Sequence, residues 1–252
     1  MKTFKIGGVH PKDQKLSADK AIDNLALPKQ AIIPLSQHIG APATPIVAKG
    51  EYVRVGQLIA KATGFMSANI HSPYSGTIEK IDNAIDAWGM ASPAIFIKVE
   101  GDEWIPEINR KDDIIRICNL EPAEIIRRIG DAGIVGLGGA CFPTHIKLTP
   151  PPTAKAEVLI INGVECEPYL TCDHRLMLEH AEEIFIGISI IMKAINVKRA
   201  IVGIECNKKD AIEHFRNIAT RHFGIEICPL KMKYPQGGEK QLIDATIGRQ
   251  VP

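Results

Sequence analysis

The sequence predicts two architectures in series, an all-β N-terminal part and a C-terminal α/β part built on a parallel sheet. Three observations carry this reading. From Pro28 to about Val99 the chain is rich in Pro, Gly and β-branched residues, and short apolar runs alternate with turn signals. From Asn109 onward strand-like and helix-like stretches alternate, the pattern of β-α-β units. The 252 residues, 45% apolar and 23% charged, match globular-protein averages, and at roughly 150 residues per domain they leave room for two. The joint is expected near 100–110, giving a β-rich domain with an extended N-terminal segment over 1–105 and an α/β domain over 106–252.

Taken in order, Pro45 to Ala60 offers two strands around Lys49-Gly50-Glu51, a turn that needs glycine, and so a hairpin. Ile70 to Ile81 reads as a tight turn at Ser72-Pro73-Tyr74-Ser75-Gly76 feeding a period-two strand, with Thr77 and Glu79 on one face and Ile78 and Ile81 on the other. Pro122 at a first helical turn, followed by Ile125, Ile126 and Ile129, marks a short helix with Gly130 as its C-cap. Beyond it come a strand at 157–161, a helix at about 173–195 with Asp173 as N-cap, and a strand at 199–204. A helix at about 208–222, a strand near 225–230 and a helix from Gly238 complete the run. Ligands in such sheets bind at the carboxyl ends of the strands.

Charge and cysteine usage exclude several functions. Thirty Lys and Arg against 29 Asp and Glu leave a formal charge of +1, so no bulk field draws the chain to nucleic acid or an anionic bilayer. The six cysteines lack the C-x-x-C spacing of zinc or iron–sulfur sites and are too sparse for a disulfide scaffold. A reducing, cytosolic setting is expected, since the N-terminus has no apolar stretch of signal-peptide length. The nine-residue run Ile184–Met192 is shorter than a membrane span of about 20 residues and reads as a buried helix. There is no P-loop, no G-x-G-x-x-G between a strand and a helix, no G-x-S-x-G and no paired metal-binding histidines.

Three stretches could carry chemistry. Gly133 to Lys147 places four glycines in seven residues, which lets backbone N–H groups approach a phosphate or a flat ring. A strained connection that needs glycine for geometry is the competing reading. Lys147 is either a solvated cation or a point charge for a phosphate. At the end of the first sheet strand, Glu165 and Glu167 either face a ligand or are exposed loop carboxylates. Gly237 and Gly238 stand at a helix start, where unpaired N–H groups attract anions.

Gly136-Leu137-Gly138-Gly139-Ala140-Cys141-Phe142-Pro143-Thr144-His145-Ile146-Lys147-Leu148, then Asn162-Gly163-Val164-Glu165-Cys166-Glu167-Pro168-Tyr169-Leu170-Thr171, then Tyr234-Pro235-Gln236-Gly237-Gly238-Glu239-Lys240-Gln241-Leu242, closely resemble the RnfC family. RnfC is the flavin-binding subunit of the ion-translocating ferredoxin:NAD oxidoreductase, the Rnf electron transport complex. Gly7-Gly8-Val9-His10-Pro11 and Pro34 to Pro42 extend the resemblance over essentially the whole chain. The same stretches are more distantly similar to the NADH-binding flavoprotein subunit of respiratory complex I. Gly50 to Ile59 and Ser72 to Ile78 resemble a barrel-sandwich hybrid domain of the biotinyl/lipoyl type, without the modifiable lysine of a carrier domain, so docking or scaffolding is the expected role of that half.

The resemblance implies a Rossmann-like α/β domain binding FMN and NAD(H), with Gly136, Gly138 and Gly139 along FMN and Lys147 near its phosphate. It places Asn162 and Glu165 against FMN, Phe142 and Glu167 beside the nicotinamide nucleotide, and Gly237, Gly238 and Glu239 along the shared cleft. Val135 and Leu137 stand where the complex I relative has arginines, and Cys141 where glycine is usual. The family's 4Fe-4S cluster ligands lie downstream of Pro252, so the chain reads as a fragment with a truncated flavin domain. Other Rnf subunits are the implied partners, and the cytoplasmic face of the membrane, peripherally, the implied location. The alternative is a docking module whose flavin half stays empty.

Overall fold

A computed structural model describes residues 1–86, 89–111, 113–151 and 153–250. Two compact units divide the chain: Leu25–Asp113 with Leu120–Thr153, and Met1–Asn24 with Ile114–Asn119 and Ala154–Pro252.

The first unit carries β1 (Gln30–Pro34), β2 (Thr44–Pro45), β3 (Tyr52–Val53), β4 (Leu58–Lys61), β5 (Ile70–His71), β6 (Gly76–Ile85) and β7 (Ala91–Val99). Two helices follow, α1 (Pro122–Asp131) and α2 (Thr144–Lys147). The strands form two antiparallel sheets, β1-β7-β6-β3 and β2-β4-β5. Alternation sets the inner faces: in β1, Ala31 and Ile33 are buried while Ile32 is exposed. Ile33, Val53, Ile59, Ile70, Ile78, Ile95 and Ile97 make one core from both sheets.

The turn at Lys49-Gly50-Glu51 forms, with Gly50 at φ +86° and the Glu51 N–H donating to the Ala48 carbonyl at 3.1 Å. The hairpin expected across it does not, because β2 pairs with β4 and β3 with β6. The backbone of Gly50 and Glu51 bonds instead to Ile78 at 2.8 Å on either side, so the turn carries the chain from one sheet to the other. In β6 a bulge between Ile78 and Lys80 shifts the register against β7. The extra residue puts Ile78, opposite Ile97, and Ile81, opposite Ile95, on one face as expected, where Ile78 is buried and Ile81 is 39% exposed. Helix α1 also runs through Gly130 to Asp131, and its C-cap is Ala132, two residues past the expected Gly130. Gly133 (φ +66°) makes the turn, and a Cβ there would lie 2.1 Å from the Asn69 carbonyl oxygen.

The second unit holds β8 (Leu159–Gly163), α3 (Cys172–Glu179), α4 (Ala181–Ala194), β9 (Ala200–Glu205), α5 (Lys209–Ala219), β10 (Ile225–Leu230) and α6 (Glu239–Ile247). Its three strands are parallel in the order β10-β9-β8. Helices α3, α4 and α5 pack on one face around Phe185 and Phe215, whose ring centroids are 5.0 Å apart. On the other face Leu242 and Ala245 of α6 pack with Val164, Leu230 and Phe4. The run Ile184–Met192 lies within α4, with Phe185, Ile186, Ile188 and Met192 buried. Among the described residues no helix is long and apolar enough to cross a membrane.

The helix expected over 173–195 is two helices, broken where His180 leaves helical geometry (φ −128°, ψ 34°). Asp173 is not its cap. Thr171 occupies that position, and Asp173 sits in the first turn.

The first 24 residues edge this parallel sheet. Lys2 bridges Leu230 in parallel, Val9 bridges Tyr234 antiparallel, and Phe4 is buried against α6. Truncating a buried Phe costs about 3–5 kcal/mol. Phe4→Ala is expected to lower hydrogen-exchange protection in β10 and α6 while leaving β6 and β7 unchanged.

Candidate functional site

The glycine-rich stretch is a loop in the first unit. Val135 and Pro143 form an antiparallel bridge, and the Gly136 N–H donates to the Phe142 carbonyl at 2.9 Å, closing the base. The Ile39 N–H donates to the Ala140 carbonyl at 2.9 Å, so the Pro34–Pro42 segment buttresses the far side. At the tip Leu137 is 92% exposed. Gly138 has φ +85°, and a Cβ built at Gly138 or at Gly139 meets no atom within 4 Å. The bare backbone of the tip thus borders open space that a flat or phosphorylated group can enter. Cys141 also takes a left-handed conformation, φ +49°. Lys147 is exposed, its ammonium 5.8 Å from the centroid of the Phe142 ring, with no carboxylate partner among the described residues.

The other two stretches meet in the second unit. Asn162, near the end of β8, donates from Nδ2 to the Gly237 carbonyl at 2.8 Å, and its Oδ1 accepts the Val164 N–H at 3.3 Å. The Gly237 N–H donates to Cys166 Sγ at 3.3 Å. A Cβ at Gly237 would lie 3.2 Å from that sulfur, and one at Gly238 would lie 2.4 Å from Gln241 Oε1. Gln241 Oε1 ends a flexible side chain, and the next atom from a Cβ at Gly238 is the Pro235 carbonyl oxygen at 3.2 Å, so packing constrains this glycine pair only loosely. Burial pushes the Cys166 thiol up, which keeps it protonated. Glu239 opens α6 and is exposed, as is Glu167.

Glu165 is buried, and its carboxylate is already engaged. Oε1 accepts the Asp173 N–H at 2.7 Å and the Cys172 thiol at 3.4 Å, and Oε2 accepts the His174 N–H at 3.4 Å. It thereby does for the start of α3 what Asp173 was expected to do. Burial, then the neighbouring Glu165, raises Asp173 above its ordinary value.

Two residues beneath this loop, Lys208 and Glu205, carried no motif. Lys208 is 2% exposed, and Nζ donates to the Val164 carbonyl at 2.8 Å and to Asn207 Oδ1 at 3.3 Å. The carboxylates of Glu165 and Glu205 lie 4.0 and 3.9 Å from it. Burial, and then the positive charge of Lys15, push Lys208 below its ordinary value. Burial pushes Glu205, 1% exposed at the carboxyl end of β9, up to about 7. The one sequence signal was a single carboxylate, Glu205, ending an otherwise apolar strand three residues before a lysine.

Residues 2–102 match the RnfC barrel sandwich hybrid domain, and residues 129–252 match the Nuo51 FMN-binding domain. The two curled antiparallel sheets and the α/β unit are the folds those families name. The chain is 46% identical over its whole length to the C subunit of the proton-translocating ferredoxin:NAD(+) oxidoreductase complex of Clostridium ljungdahlii, covering 54% of that protein. It is 41% identical over 99% of its length to the C subunit of the Na(+)-translocating complex of Acetobacterium woodii, covering 56%. It is 43% identical over its whole length to the C subunit of the ion-translocating oxidoreductase complex of Rhodobacter capsulatus, covering 49%. The chain thus spans about half the length of these relatives.

The folded state holds a proton on Glu205 more tightly than the unfolded chain does, whose value is near 4.5. The stability associated with that proton is full below pH 4.5 and is lost as pH rises through about 7. Relative to Glu205→Gln, wild type should lose on the order of 3 kcal/mol between about pH 4 and pH 8. Denaturant titrations at both values check this.

Proposed function

The chain belongs to the RnfC family, and we propose that it is the FMN- and NADH-binding part of a membrane-associated ferredoxin:NAD oxidoreductase subunit. The observation that carries this reading is the loop tip at Gly138 and Gly139, where bare backbone borders open space and the Lys147 ammonium, without a carboxylate partner among the described residues, follows. FMN, when bound, supplies a hydride acceptor for NADH and passes electrons on singly to iron–sulfur clusters downstream. Gly136, Gly138 and Gly139 let backbone lie along the flavin, and Lys147 balances its phosphate. Asn162 and the backbone at Glu165 contact FMN, and Gly237, bonded to Asn162, lines the cleft of the second unit with Gly238 and Glu239. Phe142 and Glu167 receive the nicotinamide nucleotide. Other subunits of the complex are the partners, and its place is peripheral, on the cytoplasmic face of the membrane.

Gly139 separates ligand exclusion from damage to the fold. Its φ is not left-handed and a Cβ there touches nothing, so Gly139→Leu leaves the protein's own contacts intact while filling the space the flavin requires. The full-length protein with Gly139→Leu is expected to fold with wild-type circular dichroism and to lose bound FMN in its visible spectrum. Undiminished flavin in that variant would sink the assignment.

Nucleotide choice follows from Glu167, which is exposed and whose carboxylate can accept hydrogen bonds from ribose hydroxyls. A 2′-phosphate would face that carboxylate instead. Two unit charges 4 Å apart repel by about 4 kcal/mol at an effective dielectric near 20, and each ~1.4 kcal/mol is tenfold in affinity. The full-length protein should therefore show kcat/KM for NADH at least about tenfold above that for NADPH, and Glu167→Gln should narrow the ratio. Equal values in wild type would place Glu167 away from the adenosine ribose.

A further inference from the structure

The loop after β8 holds two non-glycine residues in left-handed backbone, Glu165 at φ +49° and Tyr169 at φ +71°. Such conformations persist only where the surroundings over-determine them. Here the carbonyls of Glu165, Glu167 and Leu170 converge on one ammonium, Lys15 Nζ, at 2.9, 2.9 and 2.6 Å. An ammonium has three protons to donate, and all three are used. Lys208 meets the same loop at the Val164 carbonyl and, at 3.4 Å, the Glu165 carbonyl.

Lys15 is itself held by contacts that do not involve its charge. The Tyr169 N–H donates to the Asp13 carbonyl at 2.9 Å, Ser17 Oγ pairs with Thr171 Oγ1 at 2.7 Å, and Arg175 Nη1 donates to the Ala18 carbonyl at 3.1 Å. The segment around Lys15 is thus tethered to the far end of the loop and to α3. Its ammonium then draws the loop's carbonyls to one point. That fixes the backbone that presents Glu165 and Glu167.

We propose that Lys15 is a positioning residue of the flavin and nucleotide site, acting through the 165–170 backbone without touching either ligand. The proposal rests on the flavin reading above and extends it to a residue in the N-terminal segment. The mechanism predicts that the charge and the three donors of a compact ammonium matter together, so Lys15→Arg, which keeps the charge but spreads its donors over a planar fork, should recover only part of what Lys15→Met loses.

The test uses the full-length protein, with FMN titration and backbone hydrogen exchange on the same samples. Lys15→Met is expected to weaken FMN by about tenfold or more and to speed exchange at Tyr169, Asp173 and His174, with Lys15→Arg restoring both in part. Faster exchange with unchanged FMN affinity would make Lys15 a structural tie only, and weaker FMN with unchanged exchange would make it a direct ligand; either overturns the proposal. Global unfolding of Lys15→Met and also of Lys15→Gln would overturn the local clamp. Failure of the wild-type protein to bind FMN would instead defeat the flavin reading, and this is seen before any variant is compared.

Discussion

A lysine ammonium buried at the carboxyl end of a parallel sheet is the constraint around which the α/β unit is arranged. An isolated ammonium out of water is so costly that it must be paired or lose its proton. Lys208 meets this with carbonyls of the loop after β8, with Asn207, and with the carboxylates of Glu165 and Glu205. That requirement turns the loop's carbonyls inward. It also folds Glu165 back over the sheet end, where its oxygens reach the first N–H groups of α3. Fully ionised, two carboxylates beside one ammonium would leave a buried negative charge. Burial, by raising Glu205 to about 7, lessens the negative charge beside Lys208 near physiological pH.

Periodicity and turn chemistry made most of the architecture legible. The alternation after Asn109 gave a parallel β8, β9 and β10 with helices on both faces, because helix and strand periods are local properties of the chain. What sequence could not show are pairings made at a distance. The glycine turn at Gly50 reads as a hairpin from its residues, and only Ile78, far along the chain, turns it into a crossing between sheets. Asp173 has the chemistry of an N-cap, yet a carboxylate eight residues earlier does that work. In the candidate site the motifs marked Asn162 and Gly237, which do meet, but Lys15, Glu205 and Lys208 belong to no motif and became visible only through burial and convergence.

Glycine carries two different meanings within one stretch. Gly133 is left-handed with a carbonyl 2.1 Å from where its Cβ would stand, so its own unit demands it. Gly139 faces no atom and needs no unusual backbone, so nothing in the described fold accounts for it. Sequence alone weighed ligand loop against strained connection for the whole stretch, and the space around each glycine divides the answer residue by residue. The nearer end is glycine for geometry. Gly138 at the tip is left-handed as well, at φ +85°, so geometry accounts for it too, and Gly139 is the tip residue with no cause among the described residues.

The N-terminal segment raises the question of how residues so far apart in sequence come to share one sheet edge. Lys15 and Glu165 are 150 residues apart, with the whole antiparallel unit between them. Loop-closure entropy grows only with the logarithm of length, about 0.6 kcal/mol per doubling, so reaching across that distance instead of across twenty residues adds roughly 2 kcal/mol. Burying one Phe side chain, as Phe4 is buried against α6, returns about 1.5–3 kcal/mol, and hydrogen bonds from a charged group add about 1.5–3 kcal/mol more. Insertion of a unit between strap and sheet is therefore thermodynamically cheap. It also means that the loop bearing Glu165 and Glu167 cannot reach its final backbone until the first segment of the chain has returned to it, which makes the shape of this site a property of both ends of the sequence.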